Sequence, residues 1–186
     1  MLEDTKTHWR RHADFRKESL TQIITGLDKS IIILQKQIEE IPWYDGDWFR
    51  EESEPIYGLL FVAFQNYIIG SIKDFTGSTS EKEKYYRIGE NWRHYPKTSI
   101  ELIIGLANYS KHKDDDSLFH KGTRHVLESF QLDINEDPYN DNSPIFKGLE
   151  ILSDKWDMFE ILEIVIYWRE KLWASNETPT ANKGYK

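Results

Sequence analysis

The feature that most constrains the fold of this chain is an apolar stretch near its centre, Ile56 to Ile72. The stretch is apolar nearly all round a helix and is interrupted by Gln65 and Asn66. A membrane-spanning helix needs about 20 consecutive apolar residues, and this stretch falls short of that length. It therefore predicts a central helix buried in a soluble protein, ended by the sequence TGSTS.

A second helix is predicted before this stretch. Its apolar residues recur at alternating spacings of four and three, which places them on one face as an apolar seam. The residues of the seam are Leu20, Ile24, Leu27, Ile31, Leu34, Ile38 and Ile41. Pro42 ends this helix, the sequence PWYDGDWFREESEP reads as a loop, and Pro55 suits the first turn of the central helix.

The second half of the chain also predicts helices. A short helix is expected in EKEKYYRIGENWRHYP, a fourth in IELIIGLANYSKH after an N-cap at Thr98 or Ser99, and another short one in KGTRHVLESFQL. DINEDPYNDNSP reads as a polar loop. The last helix is expected to run from Leu152 to Ala174, with a broad apolar face made of Trp156, Phe159, Leu162, Val165, Trp168 and Leu172.

No segment predicts a convincing strand, so the expected fold is all-α. We predict a single-domain bundle of about five main helices, two of them very long, over residues 1–176, and a flexible tail over residues 177–186. The tryptophans and tyrosines that follow helical spacing are expected mainly in the core.

The absence of cysteine excludes several kinds of site. The chain cannot hold a disulfide scaffold, a cysteine-ligated zinc or iron–sulfur site, or a cysteine nucleophile. A cysteine-free chain fits a reducing cytosol. The first residues, MLEDTKTHWRRHADF, are polar and do not resemble a signal peptide, so a cytoplasmic location is expected.

The charge balance is acidic, with a formal net charge of -8. This balance counts against nucleic acid as a partner, because phosphate backbones are bound by basic faces. It favours a basic protein partner, and two acidic segments, DGDWFREESE and DINEDPYNDN, are the candidates to meet one. The basic run from Lys6 to Lys17 is a local exception that reads as a solvated helical turn or arm.

The fourth predicted helix ends in a polar cluster. Asn108 and His112 are four residues apart, so their side chains share one face, and Glu101 and Gly105 lie on roughly the same stripe. We expect Asn108 and His112 to hydrogen-bond within the bundle or to the neighbouring loop, with Tyr109 packed beside them. The residues expected to face the core are Ile100, Ile103 and Ala107.

This polar helix segment resembles a motif of the HEPN superfamily, all-α proteins named for higher eukaryotes and prokaryotes nucleotide-binding. Its ribonucleases carry an arginine, a polar residue, and a histidine after three to five more positions. In ANYSKH the polar residue is Asn108 and the histidine His112, but Ala107 takes the place of the arginine. Cleavage of RNA places negative charge on a pentacoordinate phosphorane, which a guanidinium stabilises with paired hydrogen-bond donors. Without a guanidinium at position 107 these donors are missing. Lys111 supplies only a point charge that diverges from His112.

Other constellations predict no metal or cofactor. His112 followed by Asp114, Asp115 and Asp116 lacks EF-hand spacing, and consecutive aspartates point in different directions. His8 and His12 lack the third ligand of a zinc site. No phosphate-binding glycine loop is present.

The sequence thus favours a non-catalytic, bacterial immunity or antitoxin-type protein that binds a basic partner, a nuclease toxin by family-level analogy. The acidic residues expected to contact this partner are Asp45, Asp47, Glu51, Glu52, Glu54, Asp114, Asp115 and Asp116. Two alternatives stay open. One is a metal-independent HEPN-type endoribonuclease using His112, Asn108 and Lys111, and the other is a dimeric interaction scaffold. The resemblance also implies a homodimer about the fourth helix.

Overall fold

Helix α2 (Gly46–Thr76) is the centre of the fold in the computed structural model, which describes Trp9 and residues 13–115 and 118–175. The other helices within these residues are α1 (Phe15–Glu40), α3 (Lys82–Tyr86), α4 (Ser99–His112), α5 (Lys121–Ser129), α6 (Pro144–Leu152) and α7 (Met158–Ala174). The described residues contain no strand. The all-α prediction is confirmed at this level, although the seven helices exceed the five main ones expected.

The central helix packs against α1 and α4 most extensively, and also against α7. Its largest fully buried side chains include Phe61, Phe64 and Ile68. By length and composition alone α2 could cross a membrane, but 56% of its most apolar window is buried inside the bundle. A single hydrophobic core contains residues from each of the seven helices.

Helix α2 begins ten residues earlier than the sequence indicated. The Asp45 side chain accepts hydrogen bonds from the backbone N–H groups of Asp47 and Trp48, so it caps a helix that starts at Gly46. The predicted loop PWYDGDWFREESEP is therefore confirmed only up to Asp45 and is wrong from Gly46 onward, and Pro55 lies inside the helix instead of in its first turn. Pro55 is exposed, so water can solvate the carbonyl that its missing N–H leaves without a partner.

The apolar seam of α1 is confirmed in its first part only. Leu20, Ile24 and Ile31 are buried, and Leu27 and Leu34 are partly buried. Ile38 is 42% exposed, and Ile41 is already the C-cap. The last turns of α1 therefore extend beyond the packed part of the bundle.

The predicted last helix is interrupted in the structure. Ser153 is the extended C-cap of α6, Trp156 has a φ of 57°, and Asp157 caps α7 by accepting from the N–H groups of Phe159 and Glu160. Trp156 is held in this left-handed conformation by stacking on Phe146, at 5.3 Å between ring centroids. The helix therefore starts at Met158.

Helix α6 was not predicted, although Ser143 followed by Pro144 is the cap and first-turn signature of a helix. The predicted loop before it is confirmed, since residues 133–143 contain neither helix nor strand. The cap at Thr98 is also confirmed, as a capping box with Glu101. Several predictions fall outside the described residues: the tail over residues 177–186, most of the basic run before α1, His8, His12 and Asp116.

The seam of α1 gives a matched pair of variants. Ile24→Ala should lower the free energy of unfolding by ~2–5 kcal/mol, because this side chain is fully buried and its removal leaves a cavity. Ile33→Ala on the same helix should change it by less than about 0.5 kcal/mol, because Ile33 is 59% exposed. Urea denaturation followed by circular dichroism measures both values. Equal losses would contradict the placement of α1.

Candidate functional site

A buried ion pair ties the end of α4 to the first half of α2. Lys113, the C-cap of α4, donates to the carboxylate of Glu54, which is fully buried. Burial raises the pKa of Glu54, while the hydrogen bond and charge of Lys113 oppose this change without cancelling it. The Oε1 atom of Glu54 has no hydrogen-bond partner within the part of the chain that the structure describes. Glu54 therefore depends on a single cation.

The loop between α5 and α6 is attached to the same place. Arg50 Nε donates to Asp141 Oδ1 at 2.6 Å, and Arg50 Nη1 donates to Asp47 Oδ1 at 2.8 Å. The Lys113 ammonium lies 5.5 Å from the centroid of the Tyr139 ring. These contacts bring the polar loop over residues 133–143 against the start of α2 and the end of α4.

The buried phenol of Tyr109 is affected by charges from the segments that meet here. Burial is the main cause that raises its pKa. The carboxylates of Glu54, Asp114 and Asp137 raise it further. These three residues belong to α2, to the turn after α4 and to the α5–α6 loop, so three acidic segments surround one side chain.

We call the result the acidic surface. We define it by the exposed carboxylates of the three segments, which are Asp45, Asp47, Glu51, Glu52, Asp114, Asp115, Asp137 and Asp141. Four of them, Asp47, Glu51, Asp137 and Asp141, line one hollow. The set includes six of the eight predicted partner-binding residues, whose role as contacts stays a prediction. Glu54 is not one of them, because it is buried beneath the surface, so its prediction as a contact residue was wrong. Asp116 lies outside the described residues.

Exposed aromatic side chains border the acidic surface. Trp43 is 66% exposed and Trp48 47%, and their rings pack edge to face with centroids 5.9 Å apart. Tyr139 is also exposed. The helical spacing predicts most tryptophans in the core and does not predict the exposure of this pair. Trp43 and Trp48 lie on either side of Asp45 and Asp47, before the apolar stretch begins. This polar surrounding was the signal in the sequence that they are exposed.

The two residues of the HEPN-like motif are separated in the structure. Asn108 Oδ1 accepts from Gln65 Nε2 at 2.9 Å, within the bundle. His112 Nδ1 lies 2.8 Å from Asp115 Oδ2, in the turn after α4, and its side chain is 55% exposed. Both hydrogen-bonding expectations are confirmed, and Tyr109 is buried beside them, stacked on Phe119.

Lys111, and not His112, accompanies Asn108. Lys111 Nζ donates to Gln65 Oε1 at 2.6 Å, so the amide of Gln65 joins the two side chains. Both line a pocket between α2, α3, α4 and α5 that does not include His112. Ala107, at the motif position of the arginine, is fully buried. The position that the motif assigns to a guanidinium faces the core.

Among the described residues, no group of three or more histidines and carboxylates is placed to hold a metal ion. His120 and His125, which the sequence reading did not single out, line the pocket with Asn108 and Lys111. His120 is the N-cap of α5 and His125 lies within this helix, and only their spacing in the sequence could have indicated them.

Removing Lys113 tests the buried ion pair. Lys113→Met should lower the free energy of unfolding by ~3–5 kcal/mol at neutral pH, because Glu54 is then buried without a cation. A raised carboxyl pKa means that the folded state binds the proton more tightly than the unfolded state. The loss should therefore grow as the pH rises above the ordinary glutamate value of 4.5.

The double variant Glu54→Gln/Lys113→Met should recover most of this stability, since no buried charge remains. Lys147→Met, which removes the cation of the exposed pair with Glu150, is the matched control and should change stability little. Denaturant titrations at several pH values measure these effects. A loss that is independent of pH, or that persists in the double variant, would contradict the role of the ion pair.

No protein-family model, curated protein or solved structure matches this chain. The similarity to the HEPN superfamily therefore rests on Asn108, His112 and the all-helical architecture. Membership of that superfamily stays a prediction.

Proposed function

We propose that this protein is a non-catalytic, immunity or antitoxin-type protein that uses its acidic surface to bind and neutralise a basic protein, specifically a nuclease toxin. One observation carries the proposal. Three acidic segments that are far apart in sequence meet on one surface, next to an exposed pair of tryptophans.

The charges on this surface suit a cationic partner. Arg50 is paired with Asp47 and Asp141, whereas Glu51 and Asp114 have no ion pair within the described chain. Unpaired carboxylates on one face of a protein with a net charge of -8 attract a basic protein over several ångströms and accelerate its association. Nucleases present basic residues to phosphate, and a face of carboxylates competes for the same residues.

The exposed side chains of Trp43 and Trp48 supply a different kind of contact. Exposed tryptophan is costly in water and is enriched among the residues that dominate binding energy at protein interfaces. Trp43 and Trp48 hold each other edge to face, which reduces the side-chain entropy that a partner's binding would remove. Carboxylates can then set the rate of association while the tryptophans slow dissociation.

The position of the motif residues supports a non-catalytic role. Ala107 is in the core, and His112 faces Asp115 and solvent instead of the pocket that holds Asn108 and Lys111. Proton transfer and phosphate stabilisation would need these groups around one substrate atom. A homodimer about α4 stays a prediction, as does the alternative of an interaction scaffold with no toxin.

Charge reversal on the acidic surface tests the binding site. The double variant Glu51→Lys/Asp114→Lys alters two exposed residues of different segments and avoids both Asp45, which caps α2, and the buried Glu54. With basic proteins encoded by adjacent genes as partners, association at low salt should slow about tenfold or more. Dissociation should change less, and the difference should shrink as salt screens the charges. Surface plasmon resonance measures both rates.

The matched control is Glu128→Lys/Glu163→Lys, which changes the net charge equally at exposed positions of α5 and α7. It should affect association much less. An equal effect of the two double variants would mean that net charge, and not this surface, controls binding. Failure of every basic product of adjacent genes to bind would contradict the proposal and favour the scaffold.

The purified protein should not cleave RNA. The expected result is that RNA incubated with it in the presence of a chelator stays intact, because no guanidinium is available at the buried position of Ala107. His112→Ala and Lys111→Ala are the comparison variants. Metal-independent cleavage that disappears in either of them would replace this proposal with the endoribonuclease.

A further inference from the structure

The pocket between α2, α3, α4 and α5 has a charge opposite to that of the molecule. It has a volume of about 330 Å³. Its charged lining consists of the cations Lys82, Arg87, Lys97 and Lys111 and the carboxylates Glu83 and Glu101. The chain has a net charge of -8, so a local excess of cations requires an explanation.

One of the two carboxylates already compensates two of the cations. Glu101 lies 3.1 Å from Lys97 Nζ and 3.7 Å from Arg87 Nε, measured from its Oε1 atom. Its other oxygen accepts from the backbone N–H of Thr98 at 3.0 Å, as part of the capping box of α4. The hydrogen-bonding capacity of Glu101 is thus used within the protein.

The remaining cations, Lys82 and Lys111, have no such compensation. Within the described chain no carboxylate lies at ion-pair distance from either ammonium group. Partial desolvation, followed by the positive charge of Lys82, lowers the pKa of Lys111. Lys111 is nonetheless held in place by Gln65, which is itself bound to Asn108. Glu83, the second carboxylate of the lining, forms no ion pair within the described chain, and the four cations still exceed the two carboxylates. Two like charges at the wall of one pocket favour an anion between them.

Tyr86, which lines the same pocket, carries a hydroxyl without a partner. Tyr86 is only 6% exposed, and its hydroxyl oxygen has no hydrogen-bond partner among the described residues. An unsatisfied buried hydroxyl costs free energy, and a ligand oxygen that reached it would remove that cost. Gly122 and Thr123 at the start of α5 also line the pocket, so the positive end of a helix dipole is nearby.

We propose that this pocket binds a small phosphomonoester with an apolar body. The phosphate dianion carries two charges for the ammonium groups of Lys82 and Lys111, and it has more acceptor oxygens than a carboxylate for donors such as the Tyr86 hydroxyl. Ile69, Ile104 and Val126 form an apolar part of the wall that suits the rest of the ligand. The site uses none of the carboxylates of the acidic surface, so it does not depend on the proposed partner.

Calorimetric titration with phenyl phosphate tests the site, with inorganic phosphate, benzoate and phenol as comparison probes. Phenyl phosphate should bind in a saturable way. Inorganic phosphate should bind more weakly because it lacks the apolar body, benzoate more weakly because it has a single charge, and phenol not measurably. Equal binding of benzoate and phenyl phosphate would overturn the assignment to a phosphomonoester, and the absence of saturable binding by phenyl phosphate would overturn the site.

Three variants locate the binding. Lys82→Met and Lys111→Met should each weaken the binding of phenyl phosphate about tenfold, which corresponds to roughly 1.4 kcal/mol. Tyr86→Phe should also weaken it while leaving the melting temperature of the free protein unchanged or higher, because the lost hydroxyl has no partner among the described residues.

Lys84→Met is the matched control, since Lys84 lies on the same helix α3 but is paired with Glu81 and does not line the pocket. It should leave the affinity for phenyl phosphate unchanged. An equal loss in Lys84→Met and Lys82→Met would show that the anion responds to overall charge and not to the pocket, and would overturn the proposal.

Discussion

The close packing of α2 on α4 is the contact on which the rest of the molecule depends. A nearly all-apolar helix must be covered on most sides, and α4 supplies a face that is buried from Ser99 to Ala107. Gly58 permits the approach, because a Cβ atom there would stand 2.3 Å from Ser110 Oγ. A larger residue at position 58 would force the Ser110 hydroxyl to turn away and the Ser110 Cβ, at 3.2 Å, to shift.

The same helix pair positions both candidate sites. On one side of this contact Glu54 binds Lys113, and the acidic surface assembles around that ion pair. On the other, Gln65 binds Asn108 and Lys111, which form one wall of the cationic pocket. Lys111 and Lys113 are two residues apart, so they project from different sides of the helix end. Opposite local charges can therefore exist close together without cancelling.

Sequence patterns predicted the elements better than their ends. The spacing predicts a seam along all of α1, yet Ile38 continues the pattern into solvent because no other helix within the described residues covers the last turns. Pro55 predicts a helix start, whereas the stronger cap at Asp45 begins α2 earlier. Trp156 fits the periodicity of a long last helix but adopts a left-handed conformation, since stacking on Phe146 outweighs helix continuation. In each case a tertiary contact or a cap overrode local periodicity.

By itself the sequence determined an all-helical chain with a buried central helix, a capped polar helix end, an acidic balance and no arginine in the HEPN-like motif. These properties follow from local spacing and composition, which act between neighbours in the chain. Only the tertiary structure decided that Glu54 is buried, that three acidic segments share a surface, and that Lys111 replaces His112 beside Asn108. Such pairings join residues 43 to 91 positions apart, and they depend on how helices pack, which a periodic pattern does not encode.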